Sequence, residues 1–214
     1  MATEGHQDIA FLCLEYRESL DINYAPLIGE LSERCNLVRL PTTAIALRYL
    51  ENCKPRSIIV TDGGISKPWN YNMVQRLKDY IEDGGWVIFA LDFASSTVGE
   101  EFDNFFGHGF GIPWEYGGRF QMRCEFNQGC TIPIGPVPGP DYSYDIEVHA
   151  IKNALPVEQI VVPLKDATRP EKSSSAAVVG KQLGNGFLIY CGNERVEVDL
   201  YKVLMSVCNW QWLI

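Results

Sequence analysis

The residues of this chain best suited to chemistry stand at the ends of apolar runs. Asp62-Gly63-Gly64 follows the β-branched run Ile58-Ile59-Val60, and Asp92 follows the six-residue run from Trp86 to Leu91. A carboxyl group at the end of a buried strand is partly desolvated, and desolvation or a second carboxylate raises its pKa toward the range a general acid or base needs. Asp92 is therefore the candidate acid or base. Its other reading is a cap for a helix starting near Ser95. Gly63 and Gly64 either offer backbone N–H groups to a ligand oxygen or simply make a tight turn. Glu15 and Glu194 each follow a strand and add carboxylates to the ligand-binding set, or stay solvated there. Phe93 and Ser95, beside Asp92, complete that set on their side. His108, within Phe105-Phe106-Gly107-His108-Gly109-Phe110, is the histidine nearest in sequence to Asp92. It is the candidate catalytic partner, or else a surface residue. Trp114, Tyr116 and Trp69 could stack on a sugar or a planar ligand, or cover a sheet edge or a homodimer contact. No ligand spacing supports a metal at Asp62, Asp92 and His108, and the expectation is a site with neither metal nor cofactor.

These positions matter only if a scaffold brings them together. The stretch from Arg56 to Ser96 reads as strand, helix and strand. Met73, Val74, Leu77 and Ile81 recur at helical spacing between the two apolar runs, and Gly84-Gly85 ends the helix. Such a βαβ unit puts ligands at the carboxyl ends of its strands, so Asp62 and Asp92 share one rim. Upstream, Asp8 to Glu15 predicts a first strand that brings Glu15 to the same rim. Tyr24, Leu27, Ile28, Leu31 and Cys35 predict a helix, Asn36 to Leu40 an edge strand, and Thr42 or Thr43 the N-cap of a helix ending near Cys53. The alternation predicts an α/β fold: a doubly wound, mostly parallel sheet with helices on both faces.

Past Ser95 the pattern loosens. The segment from 95 to 118 is rich in glycine and aromatics, with helical periodicity only over Val98 to Phe106, and reads as a functional or interface excursion. Phe120, Met122, Cys124 and Phe126 alternate as in a half-exposed strand. Thr131 to Pro140 holds four prolines in ten residues and is a loop. A short helix is expected near Ala150 to Leu155, a strand over Gln159 to Leu164, and a Ser-rich loop over Lys165 to Ser175. A hairpin then turns at Leu183-Gly184-Asn185-Gly186. A closing helix follows, with Val198, Tyr201, Val203, Leu204, Val207 and Cys208 facing inward.

A length of 214 residues with 46% hydrophobic content suits a single domain. The formal charge of −9 argues against a nucleic-acid partner. No apolar run approaches the roughly 20 residues that cross a bilayer. Glu4 and Asp8 stand where an export signal would want positive charge, so the expected location is cytoplasmic and not at a membrane. The seven cysteines show no zinc-type pairing and read as buried thiols, with Cys124 and Cys130 the pair placed for bridging.

Four stretches carry a family resemblance: the DGG after the third strand, YIEDGGWVIFALDFASST, HAIKNALP, and AAVVGKQLGNGFLIYCGN. Their order over Ile9 to Asn209 resembles the class I glutamine amidotransferase-like superfamily and, within it, the ThuA-like (trehalose-utilisation) branch. The resemblance implies a flavodoxin-like sheet and a sharp strand-to-helix turn bearing the key residue. That residue is cysteine in true amidotransferases and often histidine in the ThuA-like branch. Here the position falls at Asp92, or at Leu91 with the register one residue earlier. Glutamine hydrolysis needs a thiolate, a histidine to activate it and a carboxylate to orient that histidine. No cysteine stands at the turn. Cys191-Gly192-Asn193-Glu194 follows the late strand, where only the glutamate matches, and none of His6, His108 and His149 is placed to serve. The expectation is a non-glutaminase domain that binds a small polar ligand or a protein partner. The alternative is a hydrolase or isomerase acting on a sugar-like or carbonyl substrate, with Asp92 and His108 as its acid-base pair.

Overall fold

The computed structural model describes residues 8–135, 142–164, 175–193, 202–205 and 208. Nine strands form one sheet, β1 (Ile9–Leu12), β2 (Leu37–Leu40), β3 (Ser57–Val60), β4 (Trp86–Phe89), β5 (Glu115–Phe126), β6 (Ser143–Lys152), β7 (Gln159–Pro163), β8 (Val178–Leu183) and β9 (Gly186–Cys191). Their order is β2-β1-β3-β4-β9-β8-β7-β5-β6. The ladders from β2 to β9 are parallel, and those from β9 to β6 are antiparallel.

The first half follows its sequence closely. In β1, Ile9 and Phe11 face one core while Ala10 and Leu12 face the other, because a strand sends successive side chains to opposite faces. Helices α1 (Glu18–Asn23) and α2 (Ala25–Arg34) cover the first face with Leu20, Leu27 and Leu31. Helices α3 (Thr43–Asn52) and α4 (Tyr71–Glu82) cover the second with Ala46, Leu50, Met73, Val74, Leu77 and Ile81. Thr42 caps α3 by accepting the Ile45 N–H at 3.3 Å. Gly84 releases the chain from α4 at φ 98°, a conformation that costs other residues more.

The second half corrects the expected doubly wound, flavodoxin-like sheet: the architecture is mixed, with four antiparallel ladders beside four parallel ones. The cause lies in the connections. Parallel neighbours need a crossover of a dozen or more residues, usually a helix, whereas antiparallel neighbours do not. Between Glu115 and Cys191 the only helical piece among the described residues is the 3₁₀ turn Pro156–Glu158. The helix expected near Ala150 to Leu155 is absent: Ala150 and Ile151 belong to β6, where they pair with Gly118 and Tyr116 of β5. The β8–β9 hairpin turns between Leu183 and Gly186.

The aromatic excursion does not arch over the rim. Short helices α5 (Asp92–Ser96) and α6 (Glu100–Asn104) lead into a π-helical turn, Phe105–Phe110. Phe102, Phe105, Phe106 and Phe110 pack against Phe89 and Tyr190 on one sheet face, with ring centroids 5.1–6.1 Å apart. Val203, Leu204 and Cys208 are buried as expected of the closing segment, while Val198, Tyr201 and Val207 lie outside the described residues. The Pro-rich and Ser-rich loops lie largely outside them too. All seven cysteines are free thiols, Cys124 and Cys130 included. Among the described residues no helix is long and apolar enough to cross a membrane.

Candidate functional site

The parallel strands β1, β3 and β4 end side by side, and the loops that leave them enclose a cavity of about 410 Å³. Glu15, Arg17, Ser19 and Leu20 come from the segment after β1, Asp62, Gly63 and Lys67 from that after β3, and Asp92, Ser95 and Ser96 from α5.

Asp62 is the staple of this rim. One carboxylate oxygen accepts the N–H groups of Glu15 and Gly64, each at 3.0 Å, and the other accepts the Thr61 hydroxyl at 3.3 Å. Burial raises its pKa nonetheless, because the desolvation of the charge outweighs these donors. Gly64 thus spends its N–H inside the protein. Gly63 allows a close approach instead: a Cβ there would stand 2.8 Å from the Ser96 hydroxyl and 2.9 Å from that of Thr97.

Asp92 occupies the first turn of α5 and is not the cap of a helix starting near Ser95. Its half-buried carboxyl is pushed above the ordinary range by desolvation, while the hydrogen bond from the Tyr24 hydroxyl and the charge of Arg17 pull it back. Ser96 and Ser95 donate to its backbone carbonyl at 2.7 and 3.2 Å. The residue before it holds the strand-to-helix turn. Leu91 sits at φ 61° and ψ −130°, 1% exposed, in a region that costs a non-glycine residue about 1–3 kcal/mol. The residue in this strained strand-to-helix turn carries an alkyl side chain, with no group that could act as a nucleophile or transfer a proton.

The two cations of the site are used differently. Lys67 lies 2.8 Å from Glu101, which also accepts the Ser66 hydroxyl at 2.6 Å and raises the lysine's pKa. Arg17 is exposed and forms no ion pair within 4.0 Å among the described residues.

Of the residues expected at the site, Glu15, Asp62, Gly63, Asp92 and Ser95 line the cavity and Gly64 supports it. Phe93 is buried among the phenylalanines, and Trp114 is buried with its ring N–H donated to Glu158 at 3.2 Å. His108 is exposed on the π-helical turn and outside the cavity lining. Tyr116 shares a 2.9 Å hydrogen bond with His149 instead of offering a free face, and Trp69 is exposed. Glu194 and His6 lie outside the described residues. Arg17, Ser19, Lys67 and Ser96 were not anticipated; their one signal is position, in segments that leave strands ending at this rim. No thiol lines the cavity, and burial pushes Cys191 up to about 12 and Cys13 up to about 11. Among the described residues no three His, Cys, Asp or Glu side chains are placed to hold a metal ion.

No family model matches the sequence, and no curated protein is similar to it. Solved structures do match. A ThuA-like protein from Parabacteroides merdae is 12% identical, with a TM-score of 0.58 over 97% of this chain and 90% of its own. One from Bacteroides uniformis is likewise 12% identical, with a TM-score of 0.58 over 98% and 93%. A β-galactosidase from Bacillus circulans sp. alkalophilus is 13% identical, with a TM-score of 0.54 over 94% of this chain. The chain spans about 30% of the length of the β-galactosidases it matches. At these identities the likeness establishes a ThuA-like fold and nothing about activity.

Proposed function

We propose that this chain is a non-glutaminase member of the amidotransferase-like folds that binds a small polar ligand in the cavity between β1, β3 and α5. The observation that carries the reading is Leu91: the strained strand-to-helix turn is kept while its side chain can neither attack nor transfer a proton. The cavity beside it is lined by carboxylates, serines and two cations, the kind of polar lining that fixes a hydrogen-bonding ligand. The raised pKa of Asp92 favours a second reading, an acid or base acting on a sugar-like or carbonyl substrate. That reading lacks its expected helper, since His108 does not line the cavity.

A thermal-shift screen of polyols, sugar acids, amino acids and nucleotides tests the proposal, because a ligand at 100 times its Kd stabilises the native state by about 2.7 kcal/mol. At least one polar compound should raise the melting temperature of the parent, and Asp92→Ala should weaken it. An empty screen would remove the proposal. Ammonia release from glutamine should stay at the blank, and release that a thiol alkylator abolishes would overturn the non-glutaminase part. Loss of turnover in Asp92→Asn by the roughly 10²–10⁴ of general acid-base catalysis, on a substrate found in the screen, would favour the enzyme reading.

A further inference from the structure

Resting on the reading that the cavity binds a small polar ligand, we propose that the ligand is a hydroxy acid, its carboxylate held by Arg17 and a neighbouring hydroxyl donated to Asp92. Two charged groups of the cavity are already spent within the protein. Asp62 accepts two backbone N–H groups and the Thr61 hydroxyl, and Lys67 is paired with Glu101. Arg17 is the lining cation without an ion pair among the described residues. A guanidinium prefers a planar carboxylate, which it meets with two parallel N–H donors. Asp92 receives the Tyr24 hydroxyl and keeps lone pairs for one donor more. That donor is a hydroxyl in preference to an ammonium, because the positive charge of Arg17 already acts on Asp92 and would repel a second cation. Ser95 and Ser96 use their hydroxyl protons on the Asp92 carbonyl, so toward the cavity they accept, and a polyhydroxylated ligand supplies what they need. Among the described residues no aromatic side chain lines the cavity, which leaves a planar ring nothing to stack on there.

Four six-carbon probes separate the terms: gluconate, with carboxylate and hydroxyls, sorbitol, with hydroxyls alone, hexanoate, with a carboxylate alone, and glucosaminate, with an ammonium in place of one hydroxyl. Calorimetric titration of the full chain should find gluconate binding at least tenfold more tightly than each of the other three. Arg17→Gln should bring gluconate to the level of sorbitol, Arg17→Lys should fall between, and both should melt as the parent does since the side chain is exposed. Sorbitol matching gluconate, with Arg17→Gln indifferent, would overturn the carboxylate assignment and leave the ligand-binding reading standing. Hexanoate or glucosaminate matching gluconate would overturn the hydroxyl at Asp92. Binding by none of the four overturns the hydroxy acid, whereas the underlying reading falls only when the broad screen is empty as well.

Discussion

The strands from β2 to β9 and those from β8 to β6 share one sheet and bury the same kinds of side chain, yet the candidate site is built on the first group. The difference lies in where the chain leaves the sheet. Parallel strands all exit at one end, so Glu15, Asp62 and Asp92 converge although 77 residues separate the first from the last. Antiparallel strands exit at alternating ends, so their polar residues are dealt out to both. Arg119 and Glu147 pair at 2.9 Å on the exposed surface of β5 and β6, and Glu158 is drawn inside to meet Trp114 and Lys181. One half collects functional groups while the other consumes them in holding itself together.

The largest test asks whether the halves melt together. Phe106 touches Phe89 of β4 and Tyr190 of β9 and lies against Trp114, which leads into β5. Phe106→Ala should cost about 3–5 kcal/mol in urea denaturation and keep a single transition. Two separated transitions would divide the sheet into independent units. Next comes Glu158, which accepts the Trp114 ring N–H, the Leu155 N–H at 3.1 Å and the Lys181 ammonium. Glu158→Ala leaves these donors unmet and should cost about 3 kcal/mol, with gluconate affinity unchanged. A loss of affinity would mean the antiparallel half reaches the site after all.

Asp62→Ala should cost less, about 2 kcal/mol, since it frees the buried Gly64 N–H and the part-buried Glu15 N–H. Here, however, ligand binding should fall with stability, because the loop after β1 loses its tie to the loop after β3. Asp92→Asn, half-buried and on the same rim, should change stability by less than about 0.5 kcal/mol while reducing ligand binding. Equal effects of these two variants on stability would erase the distinction between staple and contact. The smallest expected effect is a pH slope. Burial raises the Asp62 pKa, so across the window from about pH 4 up to that raised value the folded state holds a proton the unfolded state has released. Stability attributable to Asp62 therefore falls as pH rises through the window. Asp62→Asn should flatten the melting temperature of the variant relative to the parent there, and an unchanged slope would place the charge elsewhere.

The same contrast governs what could be read from the residues. β1, β3, β4 and α4 announce themselves through local patterns, short β-branched runs and apolar residues at helical spacing, and the rim positions follow because they end those runs. The direction of the later strands does not. His149, Ala150, Ile151, Ala154 and Leu155 fit a helical stripe as well as a strand, and only pairing with β5 decides between them. Trp114 and Phe93 look like ligand platforms until the packing places them in the core. Arg17 and Lys67 carry no mark beyond their place in segments that leave strands ending at the rim. What makes one available and the other spent is a carboxylate 34 residues beyond Lys67, Glu101, whose place beside it no periodicity foretells.

The position of β9 has a consequence for how the chain is made. It enters the sheet beside β4, with Trp86 opposite Phe187 about 100 residues later in the sequence, and its turn is fastened by Asn185 to Glu82 and Phe187 to Gly85. Until that late segment emerges from the ribosome, the growing chain carries β1, β3 and β4 with the outer edge of β4 bare and apolar. At roughly 5–20 residues per second, that edge waits about 5–20 seconds for its neighbour. An unpaired strand edge is a template for other chains, so the yield of folded protein should depend on translation speed and on chaperones that shield nascent chains during this interval.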